Sequence, residues 1–255
     1  MSGPLIFSPE YYERMRALEA SSWWNAAMRD VAAALLRDAR LAASGLIVDV
    51  GCGSGQSMRW FGELYPKWLE LGCDISLHGL HAAHATGRPV VAASALELPY
   101  RDAAADAIIS LDVLQHLPLG GGDVTAMREM RRVLKPGGWL FIRTNAQAFP
   151  RTHDDVEFNF HRYQPAELRA KLQSAGFRVA RLSRLNAVLG LAEIPRELGS
   201  TRARDRGYGG ILAAPRPQRG LLDAAKRAWL GVEGHLVRAG IPLPLGRTIV
   251  ALCQA

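Results

Sequence analysis

The most constraining feature of this sequence is a glycine-rich turn that follows a short apolar run. Residues 46–50 (Leu-Ile-Val-Asp-Val) are typical of a buried parallel strand, and Gly51, Gly53 and Gly55 turn the chain into a helix. Such a turn brings backbone N–H groups and a helix N-terminus close to a ligand. Asp49 stands two residues before the first glycine, where its charge would repel a pyrophosphate and attract a cationic ligand.

Two further positions indicate which ligand the turn binds. Gln56 takes the sixth position of the dinucleotide fingerprint, where glycine or alanine is expected. Asp74 ends the next apolar run, 19 residues after Gly55, where an acid can accept hydrogen bonds from ribose hydroxyls. S-adenosylmethionine has an ammonium and a sulfonium and no phosphate, so it suits Asp49 better than NAD does. An NAD-linked reductase stays an alternative.

Apolar runs alternate with helical patterns through the first two-thirds of the chain, which is typical of a parallel, doubly wound α/β sheet. The ligand of such a sheet lies across the carboxyl ends of its strands. After the first run, the predicted strands cover residues 69–74, 89–93, 106–111 and 139–144.

Four motifs carry a resemblance to a known family: Asp-Val-Gly-Cys-Gly-Ser-Gly (49–55), Leu-Pro-Tyr (98–100), Asp-Val-Leu-Gln-His-Leu (112–117) and Leu-Lys-Pro-Gly-Gly (134–138). Together they resemble the class I S-adenosylmethionine-dependent methyltransferases, over roughly residues 23–177. The resemblance implies a Rossmann-like sheet of seven strands with the last one antiparallel. The cofactor residues that it implies are Asp49, Gly51, Cys52, Gly53, Gly55, Asp74, Ile75, Ser94, Ala95, Leu96 and Leu111. The family often has an acid where Ser94 stands, so a hydroxyl would replace it beside the adenine.

The chain divides into a predicted core and two additions. Residues 1–42 form an N-terminal helical cap, residues 43–185 and 246–255 form the cofactor-binding core, and residues 186–245 form an insertion that is a candidate substrate lid. The insertion holds a basic stretch, 196–227, whose eight Arg/Lys and three Asp/Glu supply +5 of the chain's net charge of +7. An amphipathic helix follows, with Leu222, Ala225, Trp229, Val232 and Leu236 predicted on its apolar face.

The composition places the protein in a reducing, aqueous compartment. Its 255 residues are 49% hydrophobic and 22% charged, which is typical of a globular protein. No apolar run of about 18 residues predicts a transmembrane segment, and no export signal is recognised at the N-terminus. The three cysteines lack framework or zinc spacing, so they are interpreted as buried thiols. We therefore expect a cytoplasmic protein.

Candidate catalytic and acceptor-binding residues follow the strands. His116, about one turn after the fourth strand, is the candidate general base, and packing or capping is its structural alternative. His153 and His161 belong to a second polar cluster after the fifth strand, together with Asp154, Asp155 and Tyr163. A His153-Asp154-Asp155 magnesium site is an alternative, but the prediction is no metal. The candidate acceptor-binding residues are Tyr12, Trp23, Trp24 and Tyr163, and packing of the tryptophans on the sheet is the competing interpretation.

The sequence therefore predicts methyl transfer from S-adenosylmethionine to a small or medium organic acceptor, with S-adenosylhomocysteine as product. Oxygen is favoured over carbon or nitrogen as the methylated atom, and a role in small-molecule biosynthesis follows. The alternative acceptor is a modified wobble base of tRNA, which a pI near 9.7 would suit, although RNA is not favoured as the partner. An alternative from outside the enzymes is a noncatalytic partner subunit that binds the cofactor. A homodimer is compatible with the apolar helix face.

Overall fold

A computed structural model describes residues 9, 12–13, 15–17, 22–147, 161–187 and 220–255. Within these ranges, helices and strands alternate along one sheet. The helices are α1 (Trp23–Asp38), α2 (Gln56–Leu64), α3 (Leu77–His84), α4 (Gly122–Val133), α5 (Pro165–Ser174) and α6 (Leu221–Arg238). The strands are β1 (Gly45–Val50), β2 (Trp68–Asp74), β3 (Val90–Ala92), β4 (Ala105–Leu111), β5 (Leu134–Asn145), β6 (Arg178–Leu185) and β7 (Thr248–Gln254).

The sheet confirms the predicted fold class. Its seven strands have the order β3-β2-β1-β4-β5-β7-β6, and β7 pairs antiparallel with both of its neighbours. Thr248 pairs with Asn145 on one side and with Leu185 on the other, so β5 and β6 end at the same edge of the sheet. Leu111 of β4 pairs with Arg143, which places the end of β4 at this edge too. We call this edge the carboxyl edge.

Each face of the sheet packs into its own core. On one face, α1, α2 and α6 bury residues such as Leu35, Phe61 and Phe141. On the other face, Met130 of α4 and Leu168 of α5 are buried in one cluster with Ile142 of β5. The strands are covered on both sides, which explains why they read as near-continuous apolar runs in the sequence.

Helix α1 is held against α6. Ser22 caps α1, since its hydroxyl oxygen accepts a hydrogen bond from the Asn25 N–H at 3.4 Å. A side chain at Gly234 of α6 would contact Val31 at 2.8 Å, so glycine permits the close approach of the two helices. Two ion pairs, Asp30–Arg227 and Asp38–Arg238, join the helices at 2.7 and 2.8 Å.

The helix predicted after the basic stretch is present, but a different face packs on the core. Leu230, Glu233, Gly234 and Val237 are buried, whereas Trp229 and Val232 are each 49% exposed. The reason is Glu233, whose buried carboxylate accepts hydrogen bonds from the Asn186 and Ala187 N–H groups and from the Trp229 indole N–H. These bonds orient the helix with a polar residue inward, which hydrophobic periodicity does not indicate.

Strand β5 begins five residues before the predicted start at Trp139. Helix α4 ends at Val133, and Leu134 is extended and pairs with Ala105 of β4. The Lys-Pro-Gly-Gly turn therefore lies inside the strand. This difference shows sheet pairing overriding a local turn signal.

No helix in the described ranges is long and apolar enough to cross a lipid bilayer. The predicted basic loop falls largely on residues 188–219, outside the described residues, and the division into cap, core and insertion stays a prediction.

Candidate active site

The glycine turn lies between the ends of β1 and β4. Gly51, Gly53 and Gly55 have φ values of +81°, +49° and +77°, a left-handed region that favours glycine. The Gly51 and Cys52 N–H groups donate to the Cys73 carbonyl oxygen at 2.7 and 3.0 Å, which fixes the turn to the end of β2. A Cβ atom on Gly51 would overlap the Cγ2 methyl of Val113, in the loop after β4. Glycine is therefore required here for the two loops to meet.

Tyr12 covers the same turn from the N-terminal side. Its side chain is 8% exposed. Among the described residues, only the Tyr12 ring, at 3.8 Å, would lie within 4 Å of a Cβ atom on Gly53. A Cβ on Gly79, in α3, would contact the same ring at 2.9 Å. The turn thus borders a space beneath an aromatic ring, as expected of a ligand site that an N-terminal segment covers.

Asp74 joins the glycine turn to the start of α3. Its two carboxylate oxygens accept hydrogen bonds from the Gly53 N–H at 2.9 Å and the Ser76 N–H at 2.8 Å. Burial raises the pKa of Asp74, and the hydrogen bonds from Ser76, Gly53 and Ile75 act in the opposite direction. A carboxylate has about four lone-pair sites, so Asp74 can still accept a ribose hydroxyl. Ile75 beside it is 65% exposed and offers an apolar surface.

Asp49 and the two nearby cysteines lie behind the turn. Asp49 is 2% exposed, and its carboxylate accepts a hydrogen bond from the Ser57 hydroxyl. Burial, reinforced by Asp49, raises the pKa of the Cys52 thiol strongly. Burial also raises the pKa of Cys73 to about 12. Both thiols therefore stay protonated at neutral pH and fill space as apolar groups, as predicted.

The loop after β3 supplies the residues assigned to adenine. The Ser94 hydroxyl accepts a hydrogen bond from the Leu96 N–H at 3.1 Å, so this side chain forms a local turn in place of the acid common in the family. Ala95 is buried, and Leu96 packs at the border of the core. The hydroxyl proton of Ser94 is left available for a second bond.

Sequence reasoning missed a charged cluster at the end of β4. Asp112 has a φ of +59°, and its carboxylate binds the Arg143 guanidinium, with the Nε–H donating at 3.0 Å. The side chains of Arg143 and Asp112 are 13% and 34% exposed. Arg143 also lies over the Trp24 ring, 4.9 Å from its centroid. The sequence does contain one signal for this cluster, which is the presence of Arg143 within an apolar strand. Its two partners, Asp112 and Trp24, come from distant segments.

His116 ends a short 3-10 turn, Leu114–His116, that follows this cluster. Burial lowers the pKa of His116, while the Asp112 charge acts weakly in the other direction. The imidazole is therefore neutral at pH 7 and able to accept a proton.

Buried contacts hold the His116 turn in place. The Thr144 hydroxyl donates to the Gln115 side chain at 2.9 Å, and the His161 N–H donates to the Gln115 carbonyl oxygen at 2.8 Å. The Tyr163 hydroxyl donates to the Leu114 carbonyl oxygen at 3.1 Å. The turn that carries the candidate base is thus fixed from two neighbouring segments.

His161 and Tyr163 belong to a polar network behind this turn. His161 Nε2 lies 2.9 Å from the Glu167 carboxylate, and Lys171 bridges Glu167 and Asp123 at 2.9 and 2.6 Å. The Tyr163 hydroxyl also binds Asp123, at 3.0 Å, and the residue is 1% exposed. Tyr163 is therefore placed as a packing residue that supports the His116 turn, with almost no surface for an acceptor.

The remaining candidates are dispersed. Trp23 lies beneath Lys226 of α6, whose Nζ atom is 5.4 Å from the ring centroid, so it contributes to the contact between α1 and α6. His153, with Asp154 and Asp155, lies outside the described residues. In the part of the chain that the structure describes, no group of three or more His, Cys, Asp or Glu side chains is arranged to hold a metal ion.

Comparison with known proteins identifies this constellation. The family described as "Methyltransferase domain" matches residues 48–142, which include the glycine turn, Asp74 and His116. The chain contains a class I S-adenosylmethionine-dependent methyltransferase domain. S-adenosylmethionine is its cofactor, and the residues fit that molecule: the Asp74 carboxylate has capacity left for a ribose hydroxyl, and among the described residues only the Tyr12 ring would lie within 4 Å of a Cβ at Gly53.

Curated relatives match this domain over part of their length. A tRNA (carboxymethyluridine(34)-5-O)-methyltransferase of Arabidopsis thaliana is 39% identical over 102 residues, covering 40% of this chain and 24% of that protein. A probable tRNA methyltransferase 9B of Bos taurus is 38% identical over 97 residues, covering 38% and 20%. The chain thus spans less than a quarter of the length of these relatives.

Solved structures share the fold. A putative methyltransferase, in a complex with the Trm112 methyltransferase activator of Haloferax volcanii, matches with a TM-score of 0.60, 17% identity and coverage of 100% and 99% of the two chains. A methyltransferase of Thermotoga maritima, titled a possible histamine N-methyltransferase, matches with a TM-score of 0.58, 17% identity and 97% coverage of each chain. At these identities the likeness concerns the fold alone.

The predicted partner, a small organic acceptor, was wrong. Curated relatives of this domain are named for methylation of tRNA, and this finding also overturns the preference against RNA. The preference rested on the lack of an aromatic-studded basic segment in the sequence. Four separate segments of the sequence supply the arginines at the carboxyl edge, namely Arg143, Arg162, Arg184 and Arg247. No single stretch of sequence therefore shows them together.

Proposed function

We propose that this protein transfers a methyl group from S-adenosylmethionine to an oxygen of a modified wobble uridine in tRNA. The observation that carries the proposal is the 39% identity over 102 residues with a tRNA wobble-uridine methyltransferase, at the level of the domain that holds the cofactor. The net charge of +7 and the pI near 9.7 favour a polyanionic substrate.

The chemistry needs positioning above all. When bound, S-adenosylmethionine supplies a methyl carbon that its sulfonium activates for in-line displacement. The chain contributes Asp74 as the ribose acceptor and the glycine turn as the backbone cradle. These groups set where the reacting carbon lies relative to the loop after β4, because the Gly51–Val113 contact joins the two loops.

The loop after β4 holds the groups nearest to an acceptor. His116, neutral because burial lowers its pKa, accepts the proton of an attacking hydroxyl; an acceptor that is already a carboxylate needs no such step. Trp24, Arg143 and Asp112 form the adjoining wall, which offers an aromatic face, hydrogen-bond donors and an acceptor to a base. The proposal assigns acceptor orientation to this wall.

The experiment is a methyl-transfer assay with S-adenosylmethionine labelled in the methyl group. Total tRNA, the same tRNA after nuclease digestion, and a mixture of free small acceptors are compared, and labelled nucleosides are identified after hydrolysis. We expect label in the wobble nucleoside of intact tRNA only. Label in the small acceptors, or in no substrate while S-adenosylhomocysteine still binds, would contradict the proposal.

A further inference from the structure

The carboxyl edge of β5, β7 and β6 gathers arginines from four parts of the sequence. Arg143 lies near the end of β5, and Arg184 is the last residue but one of β6. Arg247 directly precedes β7, and its carbonyl oxygen accepts the Ala146 N–H at 2.8 Å. The fourth, Arg162, lies next to Tyr163, whose segment pairs with Ala146. We call Arg162, Arg184 and Arg247 the arginine edge.

Arg184 is held rigidly at the centre of this edge. Its Nη1 group donates to the Gln147 and Gly246 carbonyl oxygens at 2.6 and 3.1 Å, and its Nη2 group donates to the Gln164 side chain at 2.8 Å. These acceptors lie after β5, before β7 and at the start of α5, so three segments fix one guanidinium. All of them are neutral groups.

Two N–H groups of Arg184 are not used by these bonds. A guanidinium has five N–H donors, and the three bonds occupy both protons of Nη1 and one of Nη2. Among the described residues, the Nε–H and one Nη2–H have no hydrogen-bond partner. A guanidinium can offer its Nε–H and an Nη2–H as two parallel donors, which match two oxygens of a phosphate.

The described acids of this edge have other partners. Asp112 binds Arg143, Glu167 binds His161 and Lys171, and Glu233 binds the backbone of residues 186–187. Among the described residues, no carboxylate pairs with Arg184. Burial lowers the pKa of Arg184, yet a guanidinium stays charged at any pH near neutrality. The Arg184 guanidinium therefore carries a fixed, partly desolvated positive charge.

We infer that Arg184, flanked by Arg162 and Arg247, binds a backbone phosphate of the RNA substrate. The inference rests on the proposed function and adds the surface that holds the nucleic acid. Three strand spacings separate the ends of β4 and β6, or about 14 Å. The phosphate at Arg184 therefore belongs to a nucleotide near the methylated one, and not to the methylated nucleotide itself. Because three neutral acceptors already orient the guanidinium, little side-chain entropy is lost on binding.

The test measures binding of an anticodon stem-loop RNA as a function of salt, for wild-type protein and for R184Q. Each phosphate contact adds about 0.7–0.9 to the slope of log K against log salt concentration. R184Q should lower the magnitude of that slope by this amount. When the salt concentration rises fourfold, the factor by which R184Q loses affinity should therefore be about 2.6- to 3.5-fold smaller than the factor for the wild type. K67Q is the matched control, because Lys67 is exposed and lies just before β2, at the opposite edge of the sheet.

Binding of S-adenosylhomocysteine and thermal melting establish that the variants are folded. R184K keeps the charge and should keep the slope, with weaker binding at every salt concentration because the parallel donors are lost. If R184Q does not fold, R184M replaces it with the same expected decrease. An unchanged slope in the folded variant, or an equal decrease in K67Q, would overturn the inference. Methyl transfer by the wild-type protein tests the proposed function separately. Failure of the phosphate contact at Arg184 can therefore be distinguished from failure of the proposed function.

Discussion

Replacing Gly51 with alanine tests whether one glycine holds the cofactor turn and the loop after β4 together. Two costs add at this position. A left-handed backbone costs a residue with a Cβ about 1–2 kcal/mol, and Gly51 has a φ of +81°. The new methyl group would also overlap Val113, and such overpacking costs about 1–3 kcal/mol. The free energy of unfolding should therefore fall by about 2–5 kcal/mol.

Gly87→Ala separates the two costs. Gly87 has a φ of +73° with no heavy atom within 4 Å of an added Cβ, so this variant carries the backbone cost alone. Urea denaturation should show a loss of about 1–2 kcal/mol for Gly87→Ala. In the double variant Gly51→Ala/Val113→Ala the overlap disappears, so the two substitutions should be less harmful together than the sum of their single effects.

Function gives a second measurement of the same contact. Relief of the overlap moves either the glycine turn or the loop that leads to His116, so calorimetric affinity for S-adenosylhomocysteine and turnover should both fall in Gly51→Ala. Gly87→Ala should change neither. Equal stability losses at the two glycines, with additive behaviour in the double variant, would refute the assigned contact.

Three further predictions concern side chains. Asp74→Asn should weaken S-adenosylhomocysteine binding by about 1–3 kcal/mol, through lost charge-assisted hydrogen bonds, whereas Asp102→Asn, 79% exposed, should leave calorimetric affinity unchanged. His116→Ala should lower turnover while cofactor affinity is kept. Because burial lowers the folded pKa of His116, its contribution to stability is present above the unfolded pKa of about 6.5 and is lost as the pH falls through the folded pKa. Its action as a base depends on the folded pKa alone and is lost as the pH falls through that value. A pH–rate profile whose acidic limb survives in the variant would argue against this base. Arg143→Met should cost about 1–3 kcal/mol in urea denaturation, since it leaves Asp112 partly buried without its cation, whereas Arg227→Met, which breaks a pair more than half exposed, should cost under about 1 kcal/mol.

The strands and the glycine turn could be predicted because their signals are local. Val48 and Ile108 lie in apolar runs, which are typical of strands in a sheet that is covered on both faces. Gly51 has a left-handed backbone conformation, which glycine adopts with little energetic cost. The position of Asp74 followed from its distance along the chain from the turn. Each of these inferences uses a single segment of sequence.

The acceptor side could not be predicted because its contacts join distant segments. Trp24, Asp112 and Arg143 come from a helix, a loop and a strand, and only the sheet register brings them together. The face of α6 that packs on the core also differs from the predicted one because of a distant contact. The partners of the buried Glu233 belong to the segment at the end of β6. A periodicity argument counts Glu233 as solvent-facing, and nothing within its own helix contradicts that assignment.

The position of β7 has a consequence for the order in which the molecule can form. Strand β7 is the last of the seven in the sequence, yet it lies between β5 and β6, and β6 pairs with no other strand. Neither β6 nor Arg184, near its end, can reach its native place until residues 248–254 have been synthesised and inserted. A ribosome-bound chain that lacks them could build the cofactor half of the sheet, β3 to β5, from contacts closer in sequence. The acceptor half would then be completed only with the final strand, so competence to hold the cofactor would precede competence to hold the acceptor.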